Sequence, residues 1–217
     1  MRVNVQALGA PNDAAREALL QYAAQIDRVA SKLPVSESQI RINFAWDDAF
    51  TAKRVAGQFS WEYERAAVLF NVAALESQRG AAIVRTSKDA IKAAAKHFQA
   101  AAGLFQYIRD RIVPGLLGAL PLDLSPQGLN FLMNLMLAQA QVCFLEMAMH
   151  HLGYPPERLV PIALGAADMF REAVKAVPAA TMRSIEKDYP YTHHLEVQAA
   201  SLDSIGYFRH AETVYAR

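Results

Sequence analysis

The sequence predicts an all-α fold, an elongated single domain of tetratricopeptide-like stacked antiparallel helices spanning residues 1–217. Three observations carry that prediction. Apolar residues recur at three- to four-residue spacing through six long windows, the period of a helix with one buried face. The 10 prolines and 10 glycines fall mostly between those windows as punctuation, where they end or start helices. Apart from the first residues, strand-like alternation is limited to one short run, IRINFAW at 40–46, too little to build a sheet. No repeat of fixed period is present, so the stacking is expected to be divergent.

In order, MRVNVQALG at the start reads as a strand fragment or a lead. Asn12 or Asp13 caps a first helix to about Lys32, with Leu19, Tyr22, Ala23, Ile26 and Val29 as its stripe and Pro34 as its stop. Residues 35–46 read as an extended connector laid against helices. The organising stretch is 59–78, FSWEYERAAVLFNVAALESQ, where Ser60 is the N-cap and Trp61, Val68, Val72 and Leu75 share one face. Thr86 and Asp89 have capping-box spacing ahead of a third helix reaching about Val113, whose seam runs through Ile91, Ala95, Phe98, Ala102, Phe105, Ile108 and Ile112.

Ser125 followed by Pro126 opens a fourth helix, because proline at the first helical position forfeits no helical hydrogen bond. It is apolar nearly all round down to Gly153, which marks it as a central helix. A fifth helix runs from about Pro156 to Val177, with Pro161 as a kink near its start. A short helix at 181–187 precedes a last one at 192–215, whose Leu195, Ala199, Leu202, Ile205 and Phe208 are expected to pack back onto the fifth.

Several runs point to a family. FAWDDAF at 44–50 followed by YERAAVLFNVAALESQ resembles the signature of the Bro-one (BRO) domain family, and AAKHFQAAAGLF at 94–105 and MLAQAQVCFLEMA at 136–148 extend the likeness; AADMFREA at 166–173 adds a weaker match. The resemblance implies a shortened or partial family domain, and with it a fold and a ligand: a helical scaffold of endosomal sorting that binds the C-terminal amphipathic helix of an ESCRT-III filament subunit.

Composition narrows the function classes. Twenty-two Lys plus Arg against 21 Asp plus Glu leave a net charge of +1, no broad field for nucleic acid or anionic lipid. No run holds about 20 uninterrupted apolar residues, so membrane contact is expected to be peripheral or through partners; the lone cysteine and the lack of a signal-like apolar start point to a cytoplasmic compartment, and the resemblance implies recruitment to endosomes. The single Cys143 rules out an internal disulfide and sits mid-helix in an apolar run, a core filler with no cation to activate it. The adjacent pairs His150–His151 and His193–His194 point to different sides of a helix and do not chelate one metal together. No nucleophile elbow, phosphate-binding loop or metal-ligand spacing is present, so no catalysis, cofactor or metal is expected.

A helical scaffold without chemistry offers grooves between helices. The sequence places such a groove between the fourth and fifth helices, with Phe144 about 100° round from Cys143 and therefore off the core seam. The resemblance implies anchoring positions at Phe144, Ile162 and Arg158, where the family usually carries Phe, Leu and Ile; Leu159 stands beside Arg158 as a substitute. Ala148 and His151 are expected to line the groove on Phe144's face, and Lys92, which matches a family lysine, to meet acidic residues of the partner. An arginine inside an apolar groove costs binding energy unless it pairs with a carboxylate or reaches water. The alternative is a tetratricopeptide-like adaptor for another peptide, as in Rho or cytoskeletal signalling, with its groove elsewhere.

Overall fold

The computed structural model describes residues 13–50, 57–186 and 190–215; the expectations for MRVNVQALG, for Asn12 as a cap and for the end of the short helix at 187 fall outside them. Seven α-helices are present among the described residues: α1 (Asp13–Ala30), α2 (Trp61–Ala82), α3 (Lys88–Tyr107), α4 (Pro126–His150), α5 (Pro156–Lys175), α6 (Ala179–Ile185) and α7 (Tyr191–Tyr215). Each long helix packs on its predecessor, and α7 returns onto α5 with Leu195, Ala199 and Leu202 buried and Ile205 partly so; Phe208, expected on that face, is instead 61% exposed. The all-α stack is therefore as the sequence predicts.

The caps follow the sequence with one correction. Ser60 accepts from the Tyr63 amide at 3.3 Å and Ser125 from the Gly128 amide at 3.0 Å. At α3 the cap is Ser87, which accepts from Ala90 at 3.2 Å, rather than Thr86. The helix there begins one residue later than the capping-box spacing implies, so it is the Ser87 hydroxyl that meets the first-turn amides. α3 also does not remain regular to Val113: it passes into a π turn at Ile108–Ile112 and a 3-10 turn at Val113–Gly115, the latter containing Pro114. Pro161 is carried within α5.

α2 and α4 are the inner helices. Tyr63, Val68 and Val72 on α2 and Leu129, Phe131 and Leu145 on α4 are fully buried. By length and composition α4 would also qualify to cross a bilayer, but here it packs between α3 and α5.

The extended connector is a strap across these helices, and Phe44, Trp46, Asp48 and Phe50 each have a seat. Phe44 pairs by backbone with Gln58 (3.0 and 2.9 Å) and its ring lies 4.9 Å from that of Trp61. The Trp46 indole donates to the buried Glu64 carboxylate at 2.7 Å, which also accepts from Tyr22 of α1 at 2.9 Å. Asp48 accepts from the Leu122 and Asp123 amides at 2.6 and 3.2 Å, and Asp123 accepts in return from the Ala49 amide at 2.8 Å. Phe50 ends the strap against Phe131 of α4 and Tyr191 of α7, with ring centroids 6.4 Å away in each case.

A second buried carboxylate joins three helices: Glu76 on α2 is ion-paired with Arg16 on α1 and lies 2.6 Å from Nδ1 of His97 on α3. Burial pulls its carboxyl upward, but the bonds to His97 and Arg16 outweigh that and hold it below the ordinary glutamate range.

Candidate functional site

On the α3 side of α4 a groove of about 410 Å³ opens, lined by Lys88, Ile91, Lys92, Ala95 and Gln99 from α3, by Ala140, Cys143, Phe144 and Met147 from α4, and by Leu152 beyond it. Its position follows from helical spacing. Ala140 and Met147 lie one turn on either side of Phe144 and so share its stripe, while Ile91 and Ala95 are one turn apart on the facing helix.

The floor is built of side chains the chain has already enclosed: Ile91 is 2% exposed, Cys143 1%, Met147 7% and Ala140 8%. Phe144 is different, at 42%, and Leu152 stands beside the opening at 38%. Lys88 and Lys92, exposed and one turn apart on α3, place two ammonium groups along the rim. Burial pushes the Cys143 thiol up, with Glu146 adding to that and Arg85 opposing it; it stays protonated and serves as a wall, in keeping with its reading as a core filler.

The residues singled out in the sequence distribute unevenly over this surface. Phe144 and Lys92 line the groove together. Ile162 is half-buried and packs on the core from α5, and Arg158 is exposed, with its guanidinium carbon 5.9 Å from the Tyr154 ring centroid. Arg158 therefore carries its charge in water, not in the groove.

Three expectations are corrected. Leu159 and Ala148 are buried, at 3% and 0%, because their stripes turn inward, so neither offers surface to a ligand. His151 is exposed but caps α4 through its own amide, 3.0 Å from the Met147 carbonyl, and does not line the cavity. The groove that holds Phe144 is accordingly between α3 and α4 and not between α4 and α5.

Sequence reasoning missed Lys88, Ala140, Met147 and Leu152 as lining residues. The signal was available in Ile91/Ala95 and Lys88/Lys92, two i,i+4 pairs side by side on α3.

A second opening, about 400 Å³, lies where α3, α4, α5 and α7 converge, lined by Phe98, Leu135, Val142, Phe170 and Leu195 together with Gln139, Gln198 and His194. At its edge Arg85 forms a bidentate pair with Glu146, at 2.7 and 3.0 Å. Among the described residues no group of three or more His, Cys, Asp or Glu side chains converges as a metal site would.

Fold and groove together define a class: a domain of divergent stacked helices strapped by an aromatic-acidic connector anchored through buried Phe44, Asp48 and Phe50, with an open apolar groove between two adjacent helices. Residues 1–216 match the family model described as BRO1-like domain, and the chain belongs to that family. It is 35% identical to the vacuolar protein-sorting protein BRO1 of Gibberella zeae over 185 residues, covering 85% of this chain and 18% of that one. It is 37% identical to the human programmed cell death 6-interacting protein over 178 residues, covering 78% and 20%. Among solved structures it superposes on the ALIX BRO1 domain of an ALIX BRO1 CHMP4C complex with a TM-score of 0.70 at 30% identity, covering 93% of this chain and 59% of that one. The chain thus spans about a fifth of the length of these curated relatives.

Proposed function

We propose that this chain is a non-catalytic scaffold of endosomal sorting that docks the C-terminal amphipathic helix of an ESCRT-III filament subunit in the α3–α4 groove. The observation that carries the reading is Phe144, a large aromatic left 42% exposed above a floor of enclosed apolar side chains. Covering what remains exposed of that ring contributes about 1 kcal/mol, less than half of the figure for a whole aromatic side chain, and a helix laid into a groove is the mode that covers it with the fewest new backbone demands. Lys88 and Lys92 on the rim favour a ligand helix whose polar side is acidic.

The relatives support the same ligand class, since the ALIX BRO1 domain has been solved with CHMP4C and the fungal relative is named for vacuolar protein sorting. On this reading Ile162 and Arg158 extend the contact along α5, residues 1–217 act as one domain, no cofactor is needed, and the cytoplasmic protein reaches endosomes through its partners.

The test is an anisotropy titration with a labelled ESCRT-III C-terminal helix peptide. Phe144→Asp is expected to weaken binding at least about tenfold, a loss of about 1.4 kcal/mol or more, with the helix content unchanged. Lys92→Glu is expected to weaken it less and to flatten its salt dependence. Parent-like binding by Phe144→Asp removes the groove assignment.

The cavity among α3, α4, α5 and α7 favours a second reading, an adaptor for a different peptide such as one in Rho or cytoskeletal signalling. It predicts that Leu195→Asp, and not Phe144→Asp, abolishes partner binding.

A further inference from the structure

Two openings lie on opposite sides of α4. Val142 and Phe144 are two residues apart, about 200° round the helix, so the stripe of Leu135, Gln139 and Val142 turns away from the stripe of Ala140, Phe144 and Met147. The first stripe lines the cavity of about 400 Å³ among α3, α4, α5 and α7, and the second lines the α3–α4 groove. Leu195 and Gln198, one turn apart on α7, reach the same cavity from its far side. The two linings share no residue.

The floor of the cavity is apolar, with Phe98, Leu135, Phe170 and Leu195 buried and Val142 partly so. Gln139 from α4 and Gln198 from α7 stand over that floor, both half-buried. Neither carboxamide has a hydrogen-bond partner among the described residues, whereas the Gln58 carboxamide, on the strap side of the fold, donates to the Ala119 carbonyl at 3.1 Å. Two unpaired carboxamides reaching one apolar cavity from different helices need a ligand that can both donate and accept.

A peptide group is the complement of a carboxamide, with one N–H to give and one C=O to accept. A helical ligand spends those groups on itself, while an extended one carries them free along its edge. The rings of Phe98 and Phe170 on the floor favour an aromatic side chain from the ligand. At the edge, the charge of Arg85 is answered by Glu146 within the chain, so this pair demands no charge of what binds.

We infer that this cavity is a second docking site, for an extended peptide segment that lays one aromatic side chain on the floor and pairs its backbone with Gln139 and Gln198. It is filled alongside the α3–α4 groove and not in its place, because α4 separates the two linings. A chain so built holds two partners at once, one helical and one extended, and can bring them together along a single helix. Occupancy of the cavity does not depend on which ligand fills the groove.

Nuclear magnetic resonance of the methyl-labelled chain tests this with acetyl-alanyl-phenylalanyl-alanine methylamide as the probe. Saturable shifts are expected at the methyls of Leu135, Val142 and Leu195, at a Kd of about 1 mM, with the Ile91 methyl in the groove unmoved. Methylating the probe's phenylalanine nitrogen and the alanine nitrogen after it removes two donors and is expected to weaken binding at least about fivefold. A Gln139→Leu, Gln198→Leu double variant, at half-exposed positions where the fold does not depend on the carboxamides, is expected to keep the shifts and to bind the two probes within about twofold of each other. A saturating ESCRT-III C-terminal helix peptide is expected to leave the probe titration unchanged; if that peptide does not bind, the groove reading falls while the probe titration still decides this site. Absence of shifts at the solubility limit of the probe, equal binding of the methylated probe by the parent, or displacement of the probe by the helix peptide would each overturn the inference.

Discussion

Asp123 makes the stability of the fold respond to pH near neutrality, and the size of that response follows from its surroundings. Its carboxyl is 6% exposed, with Oδ2 bonded to the Ala49 amide and Oδ1 buried without a hydrogen-bond partner. Burial, the larger cause, and the charge of Asp48 beside it push its pKa up to about 7, against the backbone bonds that lower it. An unfolded aspartate titrates near 3.9. A folded-state pKa raised in this way contributes stability fully present below about pH 4 and lost as pH rises through about 7. Integrating the proton-binding difference from about pH 5.5 to about pH 8 gives a loss of about 2 kcal/mol.

Asp123→Asn keeps an oxygen for the Ala49 amide and removes the charge, so it does not share this loss. Urea unfolding of both proteins across that range is the assay, and their difference cancels the titrating groups that do not interact with Asp123. The variant is expected to gain about 2 kcal/mol on the parent between the two ends of the range. A stability difference that does not change with pH would refute the reasoning, because it would mean that Asp123 ionises alike in both states.

Other perturbations have equally definite outcomes. Glu64→Ala removes the buried carboxylate that accepts from the Tyr22 hydroxyl and the Trp46 indole and is expected to cost about 2–4 kcal/mol, read as a lowered urea midpoint. Gly128→Ala would place a Cβ 2.2 Å from the Leu122 carbonyl oxygen; the turn ahead of α4 must shift, and calorimetry should show a Tm lowered by several degrees, on the order of 1–3 kcal/mol. Ser87→Ala removes the α3 cap at about 1 kcal/mol, whereas Thr86→Ala is expected to leave the thermal melt unchanged, since Ser87 accepts the first-turn amide.

Much of the fold was legible because its causes are local. Ser60 and Ser125 cap where their neighbours say they should, Pro126 sits at the first turn of α4, and the 3.6-residue stripes of α2 and α4 turn inward as their spacing demands. The family blocks also acquire a physical meaning: Trp46 and Glu64 are two ends of one hydrogen bond, and Asp48 grips the turn before α4 across 74 residues of sequence. That long-range pairing has no periodic signature, so the run 40–46 read only as a connector. The groove was half legible. Phe144 stands off the core seam as its 100° step from Cys143 requires, but which neighbouring helix faces that step depends on how α4 is rolled between α3 and α5. The sequence pattern does not set that roll, so Leu159, Ala148 and His151 were assigned to a surface they do not form, while Met147 and Leu152 were left out of one they do.

The claim that the α3–α4 groove holds an amphipathic helix is tested most directly by where such a helix lands. An ESCRT-III C-terminal helix peptide carrying a photoreactive group on its apolar face, cross-linked to the chain and mapped by mass spectrometry, is predicted to label Ile91, Phe144, Met147 and Leu152. Labels gathered instead on Phe170 and Leu195, in the cavity beside α7, would contradict it.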